Sequence, residues 1–394
     1  MNCPLVTIVT PSYNQGRFIR ATIESVLSQD YPRIEYIIMD GGSTDETAAV
    51  VREYAGRLEW YSEKDRGQSH AINKGFRMAR GEVVSWLNSD DVILPGAISH
   101  AVRAFEQNPR LGAVYGEGYQ IDINGNVKGR FPATEPFNLW KLVYLYDYIL
   151  QQTTYFRRTI FEEIGYLDED LHWGMDWDLF IRIAKRYPIE YIPVYMGCIR
   201  EYAAAKSFAG GAKRFRELVR IMRRHSDRRY PPGYVTYGLE TYSSMACEWI
   251  EKMTPKSMEY LSRQIRWVVR AVSDQIIIRT LRSAQGLYSD GWAGPKMRYM
   301  LGPGSGTVLM RGSLPDLGQV LRHQVLHISC SGFEIARVRL PAGEFEFRFA
   351  VPGSLRDRPA HFIVRASRWI IPKLWGLSND FRRLSYTLRV FEWV

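Results

Sequence analysis

The first hundred residues repeat one pattern: a short β-branched apolar run closed by polar residues, then an amphipathic stretch of helical period. Val6-Thr-Ile-Val-Thr10 runs into Pro11, and Ile19, Ile23, Val26 and Leu27 follow at helical spacing within residues 18–29. Residues 35–39 form a second run ending at Asp40-Gly41-Gly42. Ser43 and Asp45 then sit where an N-cap lies, and residues 47–55 read as a helix. Leu58-Glu-Trp-Tyr61 predicts a third strand, residues 71–79 a helix, and Val83-Val-Ser-Trp-Leu87 a fourth strand ending at Asn88-Ser-Asp-Asp91. Strands alternating with helices predict an α/β fold with a mostly parallel sheet covered on both faces. Ligands in such sheets bind beyond the carboxyl ends of the strands. All four of these ends carry polar or glycine residues: Ser12 and Asn14, Asp40, Asp65-Arg66-Gly67, and Asp90-Asp91.

Farther along, residues 113–123 and 189–202 read as strands and residues 177–186 as a helix. From Gly211 to about Leu287 the pattern is helical and strongly basic, and Gly and Pro then cluster over residues 287–306, marking a linker. Alternation returns at residues 326–330, 335–340, 345–349, 361–364 and 386–390, which predicts a small C-terminal β-sandwich. The expected domains are residues 1–210, a basic helical segment and linker over 211–304, and a β-rich accessory domain over 305–394.

Composition changes this picture in one respect. Of 394 residues, 46% are hydrophobic and 24% charged, which excludes a largely disordered chain, and the net charge of +10 points at first to a polyanion binder. Residues 1–210, however, hold 22 Lys and Arg against 27 Asp and Glu, net −5, whereas residues 211–394 hold 30 against 15, net +15. The basicity belongs to the second half. With Trp249, Trp267 and Ile276-Ile-Ile278, that half reads equally as a surface for an anionic membrane leaflet, a solvated helix face or an oligomer contact. No recognised nucleic-acid motif accompanies the charge, so no nucleic-acid partner is expected. Four separated cysteines (Cys3, Cys198, Cys247, Cys330) fit a reducing cytoplasm. The N-terminus lacks the basic region of a signal peptide, and no run approaches the ~18–20 apolar residues that span a bilayer. A soluble or peripherally bound protein is expected.

On the residues alone, Asp90-Asp91 reads as an Asp-rich turn capping the next helix or as an anchor for a hard divalent cation, with equal weight. The wider set of motifs separates these readings. Thr10-Pro-Ser-Tyr-Asn14, Asp40-Gly-Gly-Ser-Thr-Asp45, Asp65-Arg-Gly-Gln-Ser-His-Ala-Ile-Asn-Lys-Gly75 and Leu87-Asn-Ser-Asp-Asp91 resemble the successive motifs of glycosyltransferase family 2. Gln151, Phe156-Arg-Arg158, Gly165-Tyr-Leu-Asp168, Met175-Asp-Trp-Asp-Leu179 and Arg200 to Ser207 continue the resemblance, over roughly residues 4–210.

The resemblance implies a GT-A, Rossmann-like fold and an inverting, hexosyl-type transfer from a nucleotide-sugar, with UDP- or dTDP-sugars expected. It also implies a divalent cofactor, Mg²⁺ or Mn²⁺. By position, Pro11, Tyr13 and Asp40 would hold the nucleobase region, with Asp65 and Arg66 near the base or ribose, and Asn14 and Asn73 would be further donor-binding residues. Lys206 and Ser207 would close over the diphosphate. Asp90 takes the metal, with Asp91 a weaker second ligand because Asn88 replaces the first aspartate of the motif. Asp176 matches the catalytic base and Asp178 a structural or acceptor-side group. Tyr202 stands where some relatives carry a metal-binding histidine. Trp173 and Trp177 read as sugar-stacking or core residues, and His172 as an acceptor-site or surface residue. The expected role is surface polysaccharide assembly on a glycan or lipid-linked acceptor, in the cytoplasm and peripherally on the inner membrane face. The alternatives are a non-catalytic glycan-binding scaffold and a basic membrane-binding module.

Overall fold

The structure is a computed structural model that describes residues 3–202, 206, 210–226, 228–253, 262, 264–269, 272–273, 292–293, 296–301, 304, 306–314, 324–331, 333–355, 360–368 and 386–394. The chain divides into two compact units, Met1–Phe137 with Tyr146–His225, and Asn138–Leu145 with Ser226–Val394.

The first unit opens with β1 (Val6–Ser12), α1 (Gly16–Leu27), β2 (Ile34–Asp40), α2 (Thr47–Arg52), β3 (Glu59–Ser62), α3 (Gln68–Met78) and β4 (Val83–Trp86). It continues with β5 (Val92–Ile93), α4 (Ala97–Gln107), β6 (Ala113–Ile121) and β7 (Val127–Arg130). After α5 (Leu139–Tyr144), which clusters with the second unit, come β8 (Tyr155–Arg157), α6 (Ile160–Ile164), α7 (Met175–Ala184), β9 (Ile189–Arg200) and α8 (Gly211–His225).

The sheet runs β3-β2-β1-β4-β8-β6-β9-β5, with β7 on β6. The pairs β3·β2, β2·β1, β1·β4 and β6·β9 are parallel, while β8 is antiparallel to both β4 and β6. Every residue of β1 is buried, as a strand covered on both faces requires. Helix α3 lies so close that a Cβ on Gly75 would sit 2.4 Å from Val9 Cγ1, so only glycine permits this approach. Across β4, β8 and α7, the rings of Trp86 and Phe156 stack at 5.5 Å, and Phe156 stacks in turn on Phe180 at 6.3 Å. Trp177 is 1% exposed, which settles its role as core.

The first four strands match expectation to within a residue or two. The expected boundary at 210 does not, because α8 belongs with the first unit. Two of its apolar side chains, Ile221 and Leu218, reach the backbone that leads into α7, within 2.5 Å and 3.1 Å of where a Cβ on Gly174 would lie.

The second unit holds α5, α9 (Pro232–Met253) and eight strands: β10 (Trp292–Ala293), β11 (Lys296–Leu301), β12 (Thr307–Leu314), β13 (Val325–Cys330), β14 (Phe333–Arg339), β15 (Gly343–Ala350), β16 (Ala360–Ala366) and β17 (Tyr386–Trp393). They form two antiparallel sheets, β10-β17-β12-β15 and β11-β16-β13-β14. Phe391 of β17 joins the two, with ring centroids 5.0 Å from Tyr299 and 5.3 Å from Phe362, so a β-sandwich is observed. The expected linker is corrected: β10 and β11 occupy part of it. In β11 the buried Met297 and half-buried Tyr299 alternate with exposed Lys296 and Arg298, a strand pattern flanked, not broken, by the glycines and prolines. Much of the expected helical stretch beyond residue 253 lies outside the described residues. Trp249 and Trp267 are exposed, and among the described residues no helix is long and apolar enough to cross a membrane.

Truncating Phe391 to alanine removes the ring that bridges the sheets. The expected cost to the second unit is about 3–5 kcal/mol. Native-state hydrogen exchange should read it as lost amide protection in β13 and β16, with β1 and β2 unchanged.

Candidate active site

Strand order 3-2-1-4 places a topological switch point between β1 and β4, where doubly wound sheets open a crevice for ligands. The register sets Ser12 opposite Asp40 and Asp40 opposite Ser62, so three strand ends finish level at its rim. Asp40 is buried and accepts hydrogen bonds from Ser43 N at 3.1 Å, Ser43 Oγ at 2.5 Å and Ser62 Oγ at 2.5 Å. It organises the loops and presents no open oxygen edge. Asn14 adopts φ +52°, which Asn tolerates, receives Thr44 N on its Oδ1 at 2.8 Å and donates its own N–H to Ser43 Oγ at 2.8 Å. Asp45 accepts from Gly16 N at 2.9 Å and Thr47 N at 3.0 Å, capping α1. Burial opposes its charge, but the bonds from Thr47 and Gly16 prevail and hold its carboxyl below the usual range.

Tyr13 projects from this rim, 61% exposed. A Cβ on Gly41 would lie 2.7 Å from Asp65 Oδ2 and 3.4 Å from Tyr13 Cδ2, so the bare glycine brings an aromatic face and a carboxylate together. The other residues expected here are placed differently. Pro11 is buried in β1 opposite Met39 and supports the rim from below. Arg66 is exposed and ion-paired with Glu169. Asn73 is 1% exposed, and its amide bonds Leu167 O at 2.9 Å, Glu169 Oε1 at 3.0 Å and Leu167 N at 3.0 Å. It pins the loop before α7.

The turn after β4 separates its two aspartates. Asp91 is 3% exposed and accepts Arg200 N on Oδ1 at 2.8 Å, and Gln152 Nε2 and Asn88 Nδ2 on Oδ2 at 2.6 and 3.1 Å. Burial, then the neighbouring charge of Asp90, pushes it up to about 7. Asp91 is therefore held as an internal brace of this turn. Asp90 is half-buried and takes the Tyr202 hydroxyl on Oδ2 at 2.8 Å. The Arg200 guanidinium holds this turn through the Asp90 carbonyl at 2.7 Å. Among the described residues no group of three metal-ligating side chains occurs. The donors fit a hard cation only in the sparse manner of one carboxylate shared with a phosphate-bearing ligand.

From Asn88 a polar chain runs across the crevice. Gln68 Nε2 donates to Asn88 Oδ1 at 2.7 Å, and Lys206 Nζ donates to Gln68 Oε1 at 2.6 Å. Burial pushes Lys206 down to about 8, against the opposing charges of Asp176 and Glu217. Ser207 lies outside the described residues.

Asp176 stands in the first turn of α7, half-buried, with Trp177 N donating to Oδ1 at 2.9 Å. Burial raises it above the usual carboxylate range, against the Trp177 N–H and the charge of Lys206. Asp147, missed in the sequence within an aromatic run, is raised further by burial and then by the charge of Asp176. Glu217 of α8 was also missed. Its carboxylate accepts three backbone N–H groups, His172 at 2.9 Å, Trp173 at 2.6 Å and Gly174 at 2.9 Å, and so fixes the entry to α7. Asp178 is buried and bonded by Arg182 Nε at 2.7 Å and His225 Nε2 at 2.8 Å, which places it as structural. His172 is exposed beside Trp173. A raised carboxylate, a buried amine and an aromatic–acid patch around one crevice can bind an anionic nucleotide and move a proton.

Residues 7–165 match the family model described as Glycosyl transferase family 2. An uncharacterized glycosyltransferase of Rickettsia felis is 29% identical over 197 residues, covering 48% of this chain and 33% of that protein. Chondroitin synthase of Escherichia coli is 29% identical over 192 residues, covering 48% of this chain and 28% of that protein. The chain thus spans about a third of the length of these relatives. Among solved structures, S. aureus TarS 1-349 in complex with UDP-GlcNAc aligns with TM-score 0.47 and 17% identity, over 71% of this chain and 85% of that one.

Replacing Glu217 with alanine leaves three N–H groups ahead of α7 without their acceptor. The expected loss is about 2–3 kcal/mol of stability, measured by urea unfolding, with faster hydrogen exchange at residues 172–174.

Proposed function

We propose that the first unit, on a GT-A scaffold, transfers a hexosyl group from a UDP- or dTDP-sugar to a hydroxyl of a glycan or lipid-linked acceptor, with inversion. The observation that carries this reading is the pairing of Asp176, a carboxylate raised by burial, with the buried Lys206 beside the switch-point crevice. Tyr13 and Asp65 take the nucleobase and ribose, with Arg66 at the edge, while Asn14 and Asp40 hold the loops that shape this patch. Lys206 meets the diphosphate, and Ser207 is assigned to it by its motif. Asp176 accepts the proton of the acceptor hydroxyl as its oxygen attacks the anomeric carbon and the bond to the diphosphate breaks. Its raised proton affinity makes it a stronger base than an ordinary carboxylate. Lys206 places a cation where negative charge gathers on the leaving group. A divalent metal, Mg²⁺ or Mn²⁺, would be held by Asp90 and would neutralise the leaving nucleoside diphosphate. The relative named chondroitin synthase supports a role in surface polysaccharide assembly.

Asp176→Asn keeps the side chain's shape and removes the base. Transfer should fall by about 10²–10⁴-fold while donor binding, followed by calorimetry, persists. Loss of donor binding instead would overturn the base assignment.

Lys206 binds a diphosphate as a cation only while protonated. Donor affinity should be steady below its shifted value and fall as pH rises through about 8. Lys206→Arg, always charged, should flatten that fall. A flat wild-type profile would remove Lys206 from the diphosphate.

A further inference from the structure

The sheet β11-β16-β13-β14 turns Met297, Val364, Leu326 and Ile328 into the sandwich core, so the alternate positions face outward. The register sets Lys296 opposite Arg365, Arg365 opposite His327, and His327 opposite Arg337. Each strand thus contributes one basic side chain to a single transverse row. With strands about 4.8 Å apart the row spans about 14 Å. Lys296, Arg365 and Arg337 are exposed and His327 is half-buried, with Glu334 at 3.7 Å from its Nδ1. Arg298 and Arg339, two residues along on the outer strands, are exposed on the same face.

Like charges directly opposite one another destabilise a sheet. Lys296 registers this: it is pushed below its ordinary value, first by Arg298, then by slight burial and Arg365. An anion laid along the row would relieve that repulsion.

We propose that this face binds a linear acidic glycan, its anionic groups seated along the Lys296–Arg365–His327–Arg337 row. The choice of a glycan rests on the transferase reading of the first unit. Among the described outward positions of this face there is no Phe, Tyr or Trp to serve as a stacking platform for nucleic-acid bases. The exposed ring of β14, Phe333, has the parity of the core face, opposite buried Cys330. Val325 and Ile363, which share the outward face, are only half-exposed, so among the outward side chains described no large apolar group projects for insertion into a bilayer.

The test uses the full chain against polygalacturonate and dextran sulfate, with neutral dextran, polyuridylate RNA and phosphatidylglycerol vesicles in parallel. Both anionic glycans should bind, dextran should not, and RNA and vesicles should bind more weakly. Arg337→Glu with Arg365→Glu should weaken glycan binding about tenfold or more at low salt. If that pair misfolds, Arg337→Gln with Arg365→Gln should show a smaller loss in the same direction. Absence of glycan binding, indifference to the folded variants, or preference for RNA or vesicles overturns the proposal. Donor binding on the same samples separates the two readings: a chain that binds donor but no glycan sinks this face alone.

Discussion

A carboxylate taken out of water must be met by hydrogen-bond donors or it costs several kcal/mol. Asp91 meets that requirement with donors from three distant places: the Arg200 backbone, Gln152 and Asn88. The ends of β4 and β9 and the segment before β8 are thereby tied to one point. Asp90, the next residue back, is left facing the crevice, with its carbonyl held by Arg200 and its carboxylate by Tyr202. From Asn88 the same network reaches Gln68 and then Lys206. The position of the buried amine therefore follows from the satisfaction of a buried acid some distance away.

This arrangement explains how a domain with net negative charge can serve an anionic donor. Its acids at the crevice are largely committed to N–H and O–H groups: Asp40 to serines, Asp45 to the start of α1, Asp91 to the turn, Glu217 to the entry of α7. Their charge is spent on architecture, and exposed charges beyond about 8–10 Å are screened in any case. The cation left beside the crevice is Lys206, bonded to Gln68.

The first four strands and their polar ends were legible because alternation and helical period operate over short stretches. The choice between ligand and brace at Asp90-Asp91 was not legible, because both lie in the turn beyond β4, where no strand alternation says which side chain faces in. Asp176 was found through its motif. Asp147 and Glu217 carry no motif: one is a lone acid in an aromatic run, the other sits in a basic helix where it reads as an ordinary surface charge. Their roles depend on contacts with residues 29 and 43–45 positions away, which no local pattern encodes. The strands β10 and β11 were hidden by the glycines and prolines around them.

Buried acids also account for the extension of the first unit to α8. Ending it at residue 210 would leave the N–H groups of residues 172–174 without Glu217. It would also strip Asp178 of His225 and of Arg224, which bonds Asp178 at 3.1 Å and Asp168 at 2.8 Å. Asp178 lies two residues beyond Asp176 on α7 and is held charged there, below the usual carboxylate range, because bonds from His225 and Arg182 outweigh its burial. A buried charge that loses one partner is strongly destabilised. The two acids of α7 therefore differ by environment: Asp178 is paired, ionised and anchors the helix to α8, while Asp176, with the Trp177 N–H on its carboxylate and Lys206 nearby, keeps the higher proton affinity. Basic helix α8, which by composition belongs to the cationic half, is in this sense part of the acidic domain's site.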